Sequence, residues 1–120
     1  MLKVKRVYVL PDKSDGLRIL VDRLWPRGLY KSKAKIDLWL KEIAPSHSLC
    51  KWFAHDPKKS AEFKERYFEE LSAKKELVQT IIDCAKKGTA TLLFSAKDES
   101  HNNALALKEY LSEKAKLRTA

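Results

Sequence analysis

Arg18-Ile19-Leu20-Val21-Asp22-Arg23-Leu24-Trp25-Pro26-Arg27-Gly28 is the stretch on which the fold turns. Residues 18–24 read as a strand, and the unbroken Ile19-Leu20-Val21 run at its centre lacks the alternation of a strand with one wet face. An apolar run of this kind belongs to a strand buried on both sides, as in a parallel sheet under helices. Pro26 then removes a ladder donor and Gly28 frees the backbone, so the strand ends there. Upstream, Arg6-Val7-Tyr8-Val9-Leu10 reads as a second strand, joined to the first through the Pro11–Gly16 turn cluster. Downstream, Thr89 to Phe94 is a third strand. Between these last two, helical signals fill the chain. Ile36, Trp39, Leu40 and Ile43 share one helix face, and Ser46 caps a short helix to Phe53. Asp56-Pro57 starts a helix carrying Phe63, Tyr67 and Leu71, followed by one carrying Leu77, Val78, Ile81, Ile82 and Ala85 and closed at Gly88. Asp98 caps a final helix with Ala104, Leu107, Leu111 and Ala115 inward. A long helical crossover favours parallel pairing of the strands it joins. The first strand, on its short connection, fits either direction.

The expectation is a three-layer α/β domain, with a small, mostly parallel sheet and helices packed on it, spanning residues 1–120 as a single domain. The composition agrees: 120 residues, 44% hydrophobic and 34% charged, suit one core with a charged surface. No apolar run is long enough to span a bilayer, and no apolar region follows the basic start at Lys3, Lys5 and Arg6, so a cytoplasmic protein without a signal peptide is expected. Cys50 and Cys84 have no metal or redox spacing and read as reduced thiols.

The net charge is +9, and residues 1–35 hold ten Lys or Arg against three Asp. A basic end attracts anions, either phosphate-bearing ligands or nucleic acid, and it also keeps a surface soluble. In an open parallel sheet, ligands bind beyond the carboxyl ends of the strands. That places Asp22, Arg23, Trp25, Arg27 and Gly28 beside Ser95, Lys97, Asp98, His101, Asn102 and Asn103, the last three in the first turn of a helix. Arg23 and Arg27 are candidate bidentate donors to phosphate or carboxylate, with Trp25, Ser95, Asp98, Asn102 and Asn103 as further ligand contacts. Asp22 and His101 are candidate acid and base, since imidazole titrates near neutrality and a carboxylate can orient it. Strand-end charge pairing for Asp22 and Arg23, and a solvated helix start for His101, account for the same residues without chemistry.

Other chemistries find less support. His47, Cys50 and His55 lack a fourth ligand, so no metal is expected. Trp39, Trp52, Phe53, Phe63 and Tyr67 lie at helical spacings and read as core. Ser95 has no nucleophile-elbow context. Three glycines leave no phosphate loop or dinucleotide fingerprint, and no cofactor is expected.

Residues 20–28, with Asp37-Leu38-Trp39-Leu40-Lys41-Glu42-Ile43-Ala44-Pro45-Ser46, resemble the YeaO-like bacterial family. Lys51-Trp52-Phe53-Ala54-His55-Asp56-Pro57 and residues 94–104 continue the likeness through nearly the whole chain. The resemblance implies an α/β domain of unknown function. Longer members of the broader group carry a helix between the first two strands, which favours a parallel first strand. They also tend to a Cys-His-Arg-like segment where this chain has His101-Asn102-Asn103, a departure that speaks against cysteine-dependent chemistry. A porphyrinogen methyltransferase label borne by some relatives fits neither the length nor the glycine content. The leading expectation is a small enzyme or degenerate enzyme that binds an anionic small molecule. A nucleic-acid-binding module using Lys31, Lys33 and Lys35, with Lys3, Lys5, Arg6, Lys13 and Arg18, is the alternative, and a protein-interaction module without catalysis is the third.

Overall fold

The computed structural model describes residues 1–119. Four strands form the sheet: β1 (Leu2–Arg6), β2 (Leu17–Leu20), β3 (Leu38–Trp39) and β4 (Ala90–Phe94). Their order is β1-β4-β2-β3, and every neighbouring pair is parallel. The first strand is therefore parallel too, with Leu2 opposite Ala90 and Arg6 opposite Phe94. No helix joins it to β2 in this shorter chain. The one-turn 3-10 helix Lys13–Asp15 stands in the connection instead.

Alternation along the strands sorts their side chains between two faces. Leu2, Ile19, Val21, Ala90, Leu92 and Phe94 meet the helices α2 (His47–Phe53), α3 (Ser60–Ser72), α4 (Lys75–Lys87) and α5 (Asn103–Ala115) in the main core. Tyr67, Leu71, Ile81, Leu107 and Leu111 reach the same core fully buried. A fully buried leucine there contributes about 1.5–3 kcal/mol relative to exposure. Val7, Leu20 and Leu93 face the other way and pack with Trp25, Leu29 and Ile36. The third layer is thus thin: the β2–β3 connection with its single turn α1 (Lys31–Ala34), and the β1–β2 connection with the Lys13–Asp15 turn, from which the Asp15 carbonyl accepts the Thr91 hydroxyl.

Three boundaries differ from expectation. The first strand is Leu2–Arg6 and not Arg6–Leu10, because Leu2 and Val4 alternate with lysines whose ammonium groups reach the sheet's second face. Lys3 donates to the Ser14 carbonyl at 3.2 Å, and Lys5 to the Asp15 carboxylate at 3.0 Å. β2 is also shorter than residues 18–24, since the chain leaves the ladder after the Val21 N–H donates to the Leu93 carbonyl. The helix expected over Ile36–Ile43 is β3 followed by a 3-10 turn at Lys41–Ile43. Here the Asp37 N–H donates to Arg18 O, the Leu40 N–H donates to Leu20 O, and the Asp37 carboxylate takes the Arg18 N–H. Pairing with β2 overrides the helical spacing, and Trp39 is consequently 36% exposed instead of core.

The helix starts are nearer to expectation. Ser46 accepts from the Leu49 N–H, and Asp56 accepts from the Lys58 N–H ahead of a 3-10 turn that leads into α3. The cap of α5 is Asn102, not Asp98: its side-chain oxygen accepts from the Leu105 N–H. Asp98 closes a turn before the helix, accepting from the Ser100 and His101 N–H groups. No helix among the described residues is long and apolar enough to cross a membrane.

Candidate functional site

With all strands parallel, the segments that follow β1, β2 and β4 emerge at one edge of the sheet. They line a cleft of about 770 Å³, whose walls include Arg6, Tyr8, Asp22, Arg23, Leu24, Trp25, Arg27, Cys50, Ser95, Lys97 and Asn103. Asp22 is the hub that ties the edge together. One of its carboxylate oxygens accepts from the Ser95 N–H at 2.9 Å and the Ser95 hydroxyl at 2.8 Å. The other accepts from Asn103 Nδ2 at 3.1 Å, which also reaches the Val21 carbonyl. Trp39 Nε1 donates to the Asp22 carbonyl. The carboxylate is therefore engaged from both sides by the first residue after β4 and the first residue of α5.

Two of the cleft's cations, Arg23 and Arg6, are held by backbone carbonyls. Arg23 donates to Ala44 O and Pro45 O, each at 3.3 Å, and its Nη1 lies 3.8 Å from the Glu42 carboxylate. Its Nε is buried without a hydrogen-bond partner among the described residues. Arg6 donates through Nε to Ala96 O and through Nη2 to Ser95 O, with its guanidinium 4.7 Å from the Tyr8 ring centre. Arg27 projects from a turn in which Leu29 N–H donates to Pro26 O and Gly28 takes φ +76°, as the third position of a type II turn requires. Tyr8 anchors that turn by donating to the Arg27 carbonyl at 2.8 Å, and Trp25 Nε1 donates to Leu29 O at 2.7 Å. Trp25 also meets Trp39 edge-on.

His101 and Asp98 lie apart from this hub. His101 Nδ1 sits 3.1 Å from the Asp98 carboxylate, and its ring is exposed. The Ser100 N–H, with smaller help from His101, holds the Asp98 carboxyl below the usual range against a little burial. His101 lines a different hollow of about 740 Å³, beside the Lys64–Glu109 ion pair that joins α3 to α5. Its imidazole thus pairs with Asp98 and not with Asp22. Asn102 is 7% exposed, spends its side chain on the cap and on the Asp98 carbonyl, and borders both hollows.

Lys31, Lys33 and Lys35 are exposed around α1, whereas Arg18 forms a buried ion pair with Asp15 and the half-buried Lys5 ammonium bonds the same carboxylate. Arg6 and Tyr8, which the cleft uses, follow from the true end of β1. Cys50 and His55 join from α2 and the residues after it. Burial pushes the Cys50 thiol up, with Arg23 opposing and the Glu70 and Asp22 carboxylates adding to the rise, so it stays protonated at neutral pH.

Fold and site together define a small all-parallel α/β domain with a cation-lined cleft at the carboxyl ends of its strands. The chain matches the inactive DUF488-N3 subclade over residues 1–119, and it belongs to that family. It is 46% identical over 110 residues to the uncharacterized protein YeaO of Escherichia coli, an alignment covering 92% of this chain and 96% of that protein. The uncharacterized protein Rv3073c of Mycobacterium tuberculosis is 46% identical over 70 residues, 58% of this chain and 59% of that one. The YeaO-like resemblance carried by the motifs is confirmed. No solved structure matches the chain.

Proposed function

We propose that this domain is a degenerate enzyme that binds an anionic small molecule, phosphate- or carboxylate-bearing, in the cleft at the strand ends. One observation carries the reading. Arg6, Arg23, Arg27 and Lys97 border the cleft, while the one carboxylate that lines it among the described residues, Asp22, is already engaged by Ser95 and Asn103. An anion entering there meets cations whose own carboxylate neighbours are few or distant. Loss of catalysis is supported by the family's description as inactive and by the pairing of His101 with Asp98. Asp22 then serves as the brace that fixes β4 and α5.

Phosphate and citrate, screened by thermal unfolding, test the reading, because a ligand that binds only the folded state raises apparent stability. At about 100 times its Kd a ligand adds about 2.7 kcal/mol. Arg27→Lys keeps the charge but loses the planar fork, and should weaken binding about tenfold, the scale of one charge-assisted hydrogen bond. Lys87→Gln, at the opposite edge of the sheet beside the end of α4, should leave affinity unchanged. Equal responses from wild type and Arg27→Lys would place the anion elsewhere.

A second reading rests on the exposed lysines around α1. Lys31, Lys33 and Lys35 have no carboxylate within ion-pair distance among the described residues, the arrangement that tracks a nucleic-acid backbone. Affinity for a labelled single-stranded oligonucleotide should then fall steeply with salt. Replacing all three lysines by Gln should flatten the log–log slope by about 2, given about 0.7 per neutralised phosphate on single strands. Absence of binding at about 50 mM salt removes this reading.

A further inference from the structure

The rim of the cleft is not uniformly polar. Tyr8 is 39% exposed and Leu24 is 79% exposed, and both border it. Tyr8 is not a loose surface ring. Its hydroxyl donates to the Arg27 carbonyl, and the Arg6 guanidinium lies over its face, so the ring is held at two points while much of it stays open to solvent. Leu24 stands between two residues whose side chains are bonded, Arg23 to the Ala44 and Pro45 carbonyls and Trp25 to Leu29, and its own side chain extends into solvent. The held Tyr8 ring loses little conformational freedom when something covers it, and the exposed Leu24 beside it offers apolar area, so contact there adds to affinity.

Resting on the anion-binding reading of this cleft, we infer that its ligand is an anion joined to a planar ring, in the class of aryl phosphates. The anionic group meets Arg23 and Arg27, and the ring lies against Tyr8 and Leu24. Inorganic phosphate alone fills only the charged part of the site.

Isothermal titration of the full chain with inorganic phosphate, hexyl phosphate and phenyl phosphate separates the contributions. Phenyl phosphate should bind about tenfold more tightly than inorganic phosphate, the scale of one aromatic contact plus its burial. Hexyl phosphate should gain less. Tyr8→Ala should bring the phenyl-to-hexyl ratio close to one, and Tyr8→Phe, which keeps the ring under Arg6, should preserve it. Using a ratio cancels any displacement of Arg27 caused by losing the tyrosine hydroxyl. Leu24→Ser, a change at an exposed position, should lower the phenyl and hexyl gains together. Phosphate binding without a phenyl advantage overturns this inference and leaves the anion reading standing. Equal gains for hexyl and phenyl, or a ratio indifferent to Tyr8→Ala, overturn the planar ring. Failure of all three probes to bind overturns both.

Discussion

Asp15→Ala is expected to destabilise the domain by about 3–5 kcal/mol, the range for removing one partner of a buried ion pair. Asp15 is 2% exposed and accepts from Arg18 Nη1 at 2.6 Å, Lys5 Nζ at 3.0 Å and the Asp12 N–H at 3.0 Å. Arg18 is 4% exposed, and its other donors end on the Ala34 and Lys35 carbonyls. Without Asp15 a guanidinium stays buried with its charge uncompensated. A loss of that size is a large part of the roughly 5–15 kcal/mol that holds a domain folded. Urea denaturation measures it, and a midpoint within a few tenths molar of wild type would contradict the assignment.

The same carboxylate gives the chain an acid dependence with a definite sign. Burial raises the Asp15 carboxyl, but the Asp12 N–H, Lys5 and Arg18 together outweigh it and hold the group below its usual range. A depressed folded pKa contributes stability that is fully present above the unfolded value of about 3.9 and is lost as pH falls through the folded value. Wild-type stability should therefore decline below about pH 4, and Asp15→Asn, already destabilised, should decline less steeply over that window. The double change Asp15→Leu with Arg18→Met removes both charges and should recover much of the single-mutant loss.

That network also explains what the sequence hides. The apolar runs Ile19-Leu20-Val21 and Ala90–Phe94 are legible because both faces of β2 and β4 are covered, and their parallel pairing follows from the helical crossover. β1 is harder to read. Its lysines look like surface charge, yet their stems lie on the sheet while their ammonium groups serve Ser14 and Asp15. Misplacing that strand by four residues conceals that Arg6 and Tyr8 arrive at the same edge as Arg23 and Arg27. β3 is masked differently: two paired residues carry too little pattern to compete with a helical spacing, and only contact with β2 decides it.

The candidate site divides along the same line. Asp22 and Ser95 converge because they lie within two residues of the ends of the parallel neighbours β2 and β4, and Asn103 joins them as the first residue of α5. His101 stands only two residues before Asn103 but turns toward α3, since Asn102 caps α5 and redirects the chain. The direction in which a loop side chain leaves its backbone has no signature in spacing.

The two glycines with positive φ are expected to separate folding from binding. Gly16 lies at φ +62° and ψ −133°, between the 3-10 turn and β2, and a Cβ there would stand 2.2 Å from the Thr89 carbonyl oxygen. That oxygen accepts the Leu17 N–H, so it cannot move without opening the start of the β2–β4 ladder. Strain and clash together should cost Gly16→Ala about 3 kcal/mol or more, read as a large fall in denaturation midpoint. Gly28 has φ +76° but nothing within 4 Å of its added Cβ. Gly28→Ala should therefore cost only about 1 kcal/mol, from backbone strain alone. Its larger effect should fall on the Pro26–Leu29 turn that carries Arg27, weakening phosphate binding by several-fold in a protein that still folds. Gly28→Asn, which tolerates positive φ, should restore most of that affinity. A Gly28→Ala protein that binds phosphate as wild type does would show that turn geometry does not position Arg27, while wild-type stability in Gly16→Ala would show that the β2 entrance can yield.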